Sequence, residues 1–212
     1  NLNMTLAKVF KAIEGSAIGT ASEDDMKGLF SDFNVDSMFL GGDVKTRNRN
    51  MAKVLLKIRD MNLGEDFLDN KIDAFGDAYE FLMTMYASGA GKSGGEFFTP
   101  QEVSELLARL AAADGHEIRS VYDPACGSGS LLLKFSKTIG RDNPNLMYYG
   151  QEINPTTYNL CRINMFLHNI NYDKFDIQLG DTLVHPQHRL VEPFDAIVSN
   201  PPYSIEWEGS KN

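Results

Sequence analysis

The sequence predicts an α/β protein in which an all-helical N-terminal subdomain precedes a parallel β-sheet covered by helices. From residue 118 onward, short apolar segments typical of strands alternate with segments of helical periodicity, and this rhythm favours a parallel sheet. Before that point, apolar residues recur at helical spacing without the alternation typical of strands. We therefore assign residues 1–88 to the helical subdomain and residues 89–212 to the α/β domain.

The composition is that of an ordinary globular protein. Of the 212 residues, 42% are hydrophobic, which suffices for one good core and leaves room for a second, smaller unit. No apolar stretch is long enough to cross a bilayer, and the start of the chain lacks a signal-peptide pattern. The net charge of −9 argues against autonomous nucleic-acid binding, but it leaves room for DNA chemistry within a larger assembly.

Cysteine and histidine usage predicts a reducing cytoplasm and no metal site. Cys126 and Cys161 are far apart in a chain without a secretion signal, and two thiols alone cannot form a zinc site. We expect the scattered histidines to be solvated loop residues rather than ligands. They are His116, His168, His185 and His188.

Helical signals mark the first 88 residues. Ser22 precedes an acidic turn, as helix starts often do, and the polar, glycine-containing segment 36–50 is expected to be a loop. Two apolar sets fall at helical spacing: Met51, Val54, Leu55 and Ile58, and Phe75, Tyr79, Leu82 and Tyr86. This subdomain by itself indicates no chemistry.

A glycine-rich segment, residues 89–95 (GAGKSGG), separates the two predicted domains. It contains Gly-Lys-Ser, but a phosphate-binding loop needs a glycine five residues before the Gly-Lys pair, where this chain has Tyr86. We therefore favour a flexible hinge over a nucleotide triphosphate site.

The next segment predicts a well-capped helix. Thr99 and Glu102 form a capping box, and Pro100 suits the first helical position. The free N–H groups at such a helix start could also face a carboxylate or another anion, but the residues alone favour the structural role. The predicted apolar face consists of Val103, Leu106, Leu107 and Leu110.

Strands and helices then alternate. Helices are predicted over 131–137 and from Pro155 onward, the latter with Leu160, Ile163 and Leu167 on one face. The four predicted strands are residues 118–122, 146–150, 175–179 and 194–199.

Every unusual polar cluster of the α/β domain follows one of these strands. Ligands bind at the carboxyl ends of the strands in open α/β sheets, so we expect the clusters to form one site. The clusters are residues 123–130 (DPACGSGS), 151–152 (QE), 180–181 (GD) and 200–203 (NPPY).

The first cluster contains a Gly-x-Gly turn, Gly127 to Gly129. Such a turn lets the backbone approach a ligand closely and points a helix N-terminus at it. Asp123, just before the turn, could hold an ammonium group or only orient the loop. A nicotinamide-dinucleotide site is a rival interpretation, but its fingerprint needs a third glycine where this chain has Leu132.

The next two clusters each supply an acid. Glu152 could accept both hydroxyls of a ribose, at about the spacing from the glycine turn that dinucleotide folds use. Asp181 could accept a hydrogen bond from the exocyclic amine of an adenine. Each could equally be an ordinary strand-end or turn carboxylate.

The last cluster is the most informative. Pro201 and Pro202 fix the backbone and remove two N–H donors, which leaves the Asn200 side-chain oxygen and the Pro201 carbonyl as rigid acceptors. A planar amino group that donates to both would lose conjugation and become more nucleophilic. Tyr203 could stack on the ring that carries this amine.

Together these motifs resemble the class I S-adenosylmethionine-dependent methyltransferases of amino groups, which have a Rossmann-like sheet. Residues 123–129 match the cofactor motif of that family and residues 200–203 its catalytic motif. The segment 95–100 (GEFFTP) follows a helical domain, and this combination resembles the modification subunit of type I restriction–modification systems. The resemblance covers roughly residues 45–205 and is strongest from Glu96 onward.

The resemblance implies a role for each matching residue. Glu96, Phe97, Phe98, Thr99, Pro100 and Gln101 would lie against the methionine end of S-adenosylmethionine, with Thr99 near its carboxylate. Asp123, Pro124, Ala125, Cys126, Gly127, Ser128, Gly129 and Ser130 would surround the methionine portion. Glu152 would hold the ribose and Asp181 the adenine amine, while Asn200, Pro201, Pro202 and Tyr203 would hold the target adenine.

The resemblance further implies a cytoplasmic prokaryotic enzyme that methylates N6 of adenine in DNA. Its partners would be DNA, a specificity subunit, a restriction subunit and a second copy of the modification subunit. Such domains have seven strands and only four are recognisable here, so we expect a sheet truncated after the fourth strand and little activity from this chain alone. Methylation of a protein glutamine and a non-catalytic cofactor-binding scaffold remain alternatives.

Overall fold

The computed structural model describes residues 2–60, 81, 85, 99, 101–139, 143–191 and 193–202. By its internal contacts, the chain divides into two compact units, residues 1–72 and 73–212. The predicted boundary after residue 88 lies outside the described residues, as does the glycine-rich segment 89–95, so both remain predictions.

Within residues 2–60 the first unit contains helices and no strand, as the sequence predicts. Its α-helices are α1 (Leu2–Gly15), α2 (Glu23–Met26) and α3 (Val44–Arg59), and a single 3-10 turn spans Met38–Leu40. None of the described helices is long and apolar enough to span a membrane.

Helix α3 begins earlier than the sequence predicts, so the second half of the expected 36–50 loop is helical. Asp43 causes the difference: its Oδ1 accepts a hydrogen bond from the Thr46 amide at 2.9 Å and caps the helix start. The other predicted helical set, from Phe75 to Tyr86, lies outside the described residues.

A buried asparagine organises the first unit. The Asn3 side chain donates from Nδ2 to the Val35 carbonyl at 2.7 Å, and its backbone amide donates to Asn48 Oδ1 at 3.0 Å. Phe10 stacks on Phe30 with ring centroids 4.8 Å apart. These contacts join α1 to α3 and to the intervening loops.

The second unit contains a four-stranded parallel sheet, which confirms the predicted fold class. Its strands are β1 (Ser120–Asp123), β2 (Met147–Glu152), β3 (Phe175–Leu179) and β4 (Ala196–Ile197), in the spatial order β3-β2-β1-β4. The chain therefore adds strands on one side of β1 and then switches to the other side. Ligands bind at such a switch point in open α/β sheets.

From residue 101 onward, the described α-helices are α4 (Gln101–Ala111), α5 (Ser130–Thr138) and α6 (Pro155–Leu167), and a 3-10 turn spans Tyr172–Lys174. Pro155 opens α6 as predicted, and Asn154 caps it by accepting from the Thr156 amide at 2.9 Å. The core joins α4, α5 and α6 to the sheet. Its fully buried members include Ala108, Val121, Leu132, Leu133, Phe135, Cys161 and Met165.

The predicted apolar face of α4 is wrong. Leu107 packs against the core, but Val103, Leu106 and Leu110 are exposed, whereas Ser104 and Ala108 are completely buried. Helix α4 packs against α5. The buried face of α6 also differs from the predicted one, because its completely buried apolar residues are Cys161 and Met165.

Alanine substitutions of a buried and an exposed leucine test these differences in burial. Leu132→Ala is expected to lower the free energy of unfolding by about 2–5 kcal/mol, because the side chain is completely buried and leaves a cavity. Leu106→Ala, in the neighbouring helix, is the matched control, and its effect should stay within about 0.5 kcal/mol. Urea denaturation of the 212-residue chain, followed by circular dichroism, measures both. Equal losses would contradict the packing of α4.

Candidate functional site

The four predicted polar clusters lie at the carboxyl ends of the strands. Asp123 ends β1, Glu152 ends β2, Asp181 follows β3 and Asn200 follows β4. Strand β1 lies between β2 and β4, so Asp123 is central. This edge of the sheet brings together acceptors from four segments of the chain.

The glycine turn after β1 is packed against helix α6. Gly129 precedes α5 with φ +83°, a left-handed conformation that favours glycine. A Cβ at this position would lie 2.8 Å from Cys161 Sγ and 3.0 Å from Met165 Cε. The turn therefore needs glycine both for its backbone conformation and for its close approach to α6.

Two hydrogen bonds fasten the turn to its surroundings. The Cys126 amide donates to the Gln151 carbonyl at 3.0 Å, and Asn164 Nδ2 donates to the Ser128 carbonyl at 2.9 Å. Asn164 is buried on α6 and was not predicted as part of the site. A polar residue one position before the apolar Met165, inside a helix that covers the sheet, was the available signal.

Glu152 is held in a fixed orientation. Its Oε2 accepts from the Gly127 amide at 3.0 Å, and its Oε1 accepts from the Asn154 amide at 2.8 Å. An ionised carboxylate has about four lone-pair positions, so both oxygens can still accept from a ligand. The side chain thereby links the glycine turn to the end of β2.

Asp123 is a buried carboxyl group. Its Oδ1 accepts from the Ala125 amide at 3.0 Å. The pKa of Asp123 is raised from 3.8 to about 7: burial is the main cause and the Glu152 charge contributes, while the hydrogen bond from the Ala125 amide acts in the opposite direction. Near neutral pH this carboxyl is therefore partly protonated, and a neighbouring cation would favour its ionised form.

Asp181 is half-buried in a turn. Its Oδ1 accepts from the Leu183 amide at 2.8 Å, as expected for a turn aspartate. The adjacent Thr182 hydroxyl donates to the Pro124 carbonyl at 2.6 Å, which joins this turn to the glycine turn. Thr182 was not predicted, because nothing in its local sequence indicates a partner 58 residues away.

The segment after Asp181 is bound to β2. Gln151 Nε2 donates to the His185 carbonyl at 3.0 Å, and Gln151 Oε1 accepts from the Gln187 amide at 3.0 Å. Gln151 is completely buried between the two. A glutamine at a strand end was a visible signal, but its role as a bridge depends on the fold.

The expectation of solvated histidines is wrong for His188. Its ring is buried beside Tyr122 and Tyr149, and Nε2 lies 3.0 Å from the Gly150 carbonyl. His185 is exposed and His168 is half-buried at the end of α6. Among the described residues, no group of histidine, cysteine and acidic side chains could hold a metal ion.

Asn200 contacts the segment before α4. Its Nδ2 donates to Thr99 Oγ1 at 3.2 Å, and Thr99 is only 8% exposed. Pro201 and Pro202 are exposed. Gln101 begins α4, and the other predicted residues of this group lie outside the described residues: Glu96, Phe97, Phe98, Pro100 and Tyr203.

Two exposed apolar side chains flank the acidic acceptors. Ile153 follows Glu152 and is 59% exposed, and Leu183 follows Asp181 by two residues and is 74% exposed. Neither residue was predicted from the sequence. An apolar residue close to an acidic strand end was the available signal, because ligand pockets are lined mainly by apolar side chains.

A family profile and the similar proteins of known sequence indicate the same family for this chain. The family profile described as N-6 DNA Methylase matches residues 70–212. The chain is 52% identical, over its whole length, to the type I restriction enzyme MpnII methylase subunit of Mycoplasma pneumoniae, and it spans 40% of that protein.

Solved structures agree with these relatives. The type I restriction–modification methyltransferase subunit from Streptococcus thermophilus matches 99% of the chain with a TM-score of 0.82 and 31% identity, and the chain covers 42% of it. A putative class I S-adenosylmethionine-dependent methyltransferase from Listeria monocytogenes matches 93% of the chain with a TM-score of 0.57; the chain covers 59% of that protein. At 16% identity this second match supports the fold alone. The chain thus spans about two-fifths of the length of its more similar relatives.

The buried carboxyl of Asp123 predicts a pH-dependent cost of folding. Its pKa is about 7 in the folded chain and 3.8 ordinarily, so the folded state binds more protons between these values and loses stability as pH rises through this interval. Asp123→Asn removes the effect. The stability of this variant relative to wild type should therefore grow by up to about 4 kcal/mol from pH 4 to pH 7.

Urea denaturation at a series of pH values measures this difference. Asp195→Asn is the matched control: burial raises the Asp195 pKa, but hydrogen bonds from Arg119 and Ser120 outweigh it and the net pKa is lowered. The stabilisation by Asp195 should therefore be lost as pH falls below about 4, the opposite sign. A pH-independent difference between wild type and Asp123→Asn would contradict the assigned burial of the carboxyl.

Proposed function

The chain belongs to the N-6 DNA methylase family, and we propose that it carries the cofactor site and the catalytic residues of an adenine-N6 DNA methyltransferase. The protein acts as the modification subunit of a type I restriction–modification system. The observation that carries this proposal is the convergence of Asp123, Glu152 and Asp181 at the switch point, next to Asn200 and its two prolines.

The acceptors of this edge suit the donors of S-adenosylmethionine. The cofactor presents an ammonium group, a ribose diol and an adenine amine, and the chain presents three carboxyl groups. The buried carboxyl of Asp123, with its raised pKa, suits a cation. The anchored carboxylate of Glu152 suits the diol, and Asp181 suits the amine. When bound, the cofactor supplies a methyl group on a sulfonium sulfur, which the target amine takes by direct displacement.

The remaining residues of the proposed cofactor site are assigned partly from the described side chains and partly from the family resemblance. Ile153 and Leu183 would cover the two faces of the adenine ring. Thr99, at the start of α4, would bind the carboxylate, since helix N-termini favour anions. We further assign the methionine portion to Glu96, Phe97, Phe98, Pro100, Gln101, Pro124, Ala125, Cys126, Gly127, Ser128, Gly129 and Ser130.

The chain contributes to catalysis by positioning and polarising the target amine. Asn200 Oδ1 and the Pro201 carbonyl would accept hydrogen bonds from its two N–H groups, which would withdraw the nitrogen lone pair from conjugation with the ring and make it more nucleophilic. Pro202 has no N–H group to compete for these acceptors. Tyr203 stacks on the target base once it is flipped out of the duplex. Preorganised acceptors of this kind account for much of the acceleration in many enzymes.

The substrate and the partners follow from the type I assignment. Adenine in DNA is the methyl acceptor, a specificity subunit reads the sequence, and a restriction subunit joins for cleavage. A second copy of the modification subunit completes the assembly. The net charge of −9 is consistent with this division of labour, because the partners would supply most contacts to the phosphates.

Removing the charge of Glu152 tests the cofactor site. Glu152→Gln keeps the shape but replaces one acceptor oxygen by a donor, so the affinity for S-adenosylmethionine should fall at least about tenfold in calorimetry. Glu117→Gln, an exposed acid near Arg119, is the matched control and should bind as wild type does. NAD should not bind to any variant. Wild-type affinity in a folded Glu152→Gln protein would rule out the assigned role.

Replacing Asn200 tests the chemistry. In the full-length protein with its specificity partner, Asn200→Ala should lower the rate of methyl transfer to DNA by roughly 10²–10³-fold, because one acceptor of the target amine is lost. Cofactor affinity should change by less than tenfold. The measurement follows radiolabelled methyl groups into DNA adenine. Label that appears in protein instead of DNA would favour a protein amide as the substrate and contradict the proposal.

A further inference from the structure

We propose that Thr99 is a positioning residue that selects the productive orientation of the Asn200 side-chain amide when the cofactor is bound. The contact that suggests it is the 3.2 Å hydrogen bond from Asn200 Nδ2 to Thr99 Oγ1, which joins residues 101 positions apart. This inference rests on the proposed function, in which Asn200 holds the target amine.

An asparagine amide has two ends of nearly equal size and opposite hydrogen-bonding character. Only its oxygen can accept from the target amine, so a flip of the amide by half a turn would direct N–H groups at the amine and abolish the contact. In the structure Nδ2 faces Thr99, so Oδ1, at the other end of the planar amide, points away from the Thr99 hydroxyl. In the proposed site this is the orientation that leaves Oδ1 available to accept from the target amine.

The backbone of this segment is already held in place. The Val198 amide donates to the Tyr122 carbonyl at 3.0 Å, which continues the pairing of β4 with β1. Pro201 restricts the conformation of the residue that precedes it. These contacts fix the backbone at Asn200, but they do not fix the orientation of its side-chain amide.

A threonine hydroxyl alone does not distinguish the two amide orientations. It can accept from Nδ2, or it can donate its proton to Oδ1 after a flip. Which of the two amide orientations is favoured depends on whether the Thr99 hydroxyl donates to another acceptor. Thr99 is 8% exposed, so a mismatched contact is not readily repaired by solvent.

The cofactor carboxylate resolves this ambiguity. A carboxylate can only accept, so the Thr99 hydroxyl would donate its hydrogen bond to the carboxylate, and Oγ1 would remain an acceptor for Asn200 Nδ2. The flipped amide would then bring Oδ1 against Oγ1, two acceptors without a proton between them. Cofactor binding at one end of Thr99 therefore favours the productive orientation of Asn200 at the other.

Kinetics of the full-length protein with its specificity partner separate this role from simple cofactor binding. Thr99→Val keeps the shape but removes the hydroxyl, and the single-turnover rate at saturating S-adenosylmethionine should fall about tenfold. Thr99→Ser should restore the rate to within threefold of wild type. Thr46→Val, which removes another hydrogen-bonded hydroxyl in the first unit, is the control and should match wild type. A Thr99→Val variant that raises only KM would overturn the proposal.

A binding measurement tests the coupling without catalysis. The affinity for S-adenosylhomocysteine is measured by calorimetry for wild type, Thr99→Val, Asn200→Ala and the double variant. The proposal expects the loss in the double variant to differ at least twofold from the product of the two single losses, as for residues in direct contact. Additive losses would overturn it. If wild type methylates no DNA, the proposed function fails, while this cycle still decides whether Thr99 and Asn200 act together at the cofactor.

Discussion

The parallel pairing of β1 with β2 on one side and β4 on the other is the constraint on which the site depends. The pairing aligns Asp123 with Gly150 and continues from β2 to β3 as far as Glu152 and Leu179. Because all four strands run in one direction, their polar ends meet at a single edge. The reversal of strand order at β1 places Glu152 and Asp181 on one side of Asp123 and Asn200 on the other, and ligands bind at such a switch point in open α/β sheets.

The loops at this edge hold each other by hydrogen bonds. Glu152 binds the Gly127 amide, and Thr182 binds the Pro124 carbonyl, so the first three clusters form one network. Such cross-links preorganise a ligand site before the ligand arrives. Asp123, at the centre, is the member whose environment opposes its charged form. A fold retains a costly buried acid where function needs one, and the cationic cofactor that we propose would offset that cost.

The sequence predicted most of the elements, and the failures have physical reasons. Asp123, Glu152 and Asp181 lie at the strand ends as expected, while their roles stay predictions. Strand β3 has the predicted bounds, since alternation and turn residues act locally. The predicted buried face of α4 was wrong because apolar periodicity overlooks small residues such as Ser104 and Ala108, which are completely buried. Likewise His188 and Asn164 are buried because each binds a backbone carbonyl far away in the chain. Contacts of this kind leave no periodic signal.

The proposed catalytic cluster, residues 200–203, follows the shortest strand of the sheet. Strand β4 pairs with β1 through two residues, Ala196 and Ile197. The side chain of Ile197 is mostly exposed and adds little to the core. Its position is secured at the opposite end, where Asp195 Oδ2 accepts from the Arg119 and Ser120 amides at 2.8 and 2.9 Å. The preceding Phe194 stacks on Tyr122 of β1. By contrast, the three clusters proposed to bind the cofactor follow β1, β2 and β3, which are all longer than β4. The position of Asn200 therefore depends on contacts at both ends of β4 as well as on the sheet. These contacts are the hydrogen bonds of Asp195 before the strand and the hydrogen bond of Asn200 to Thr99 after it.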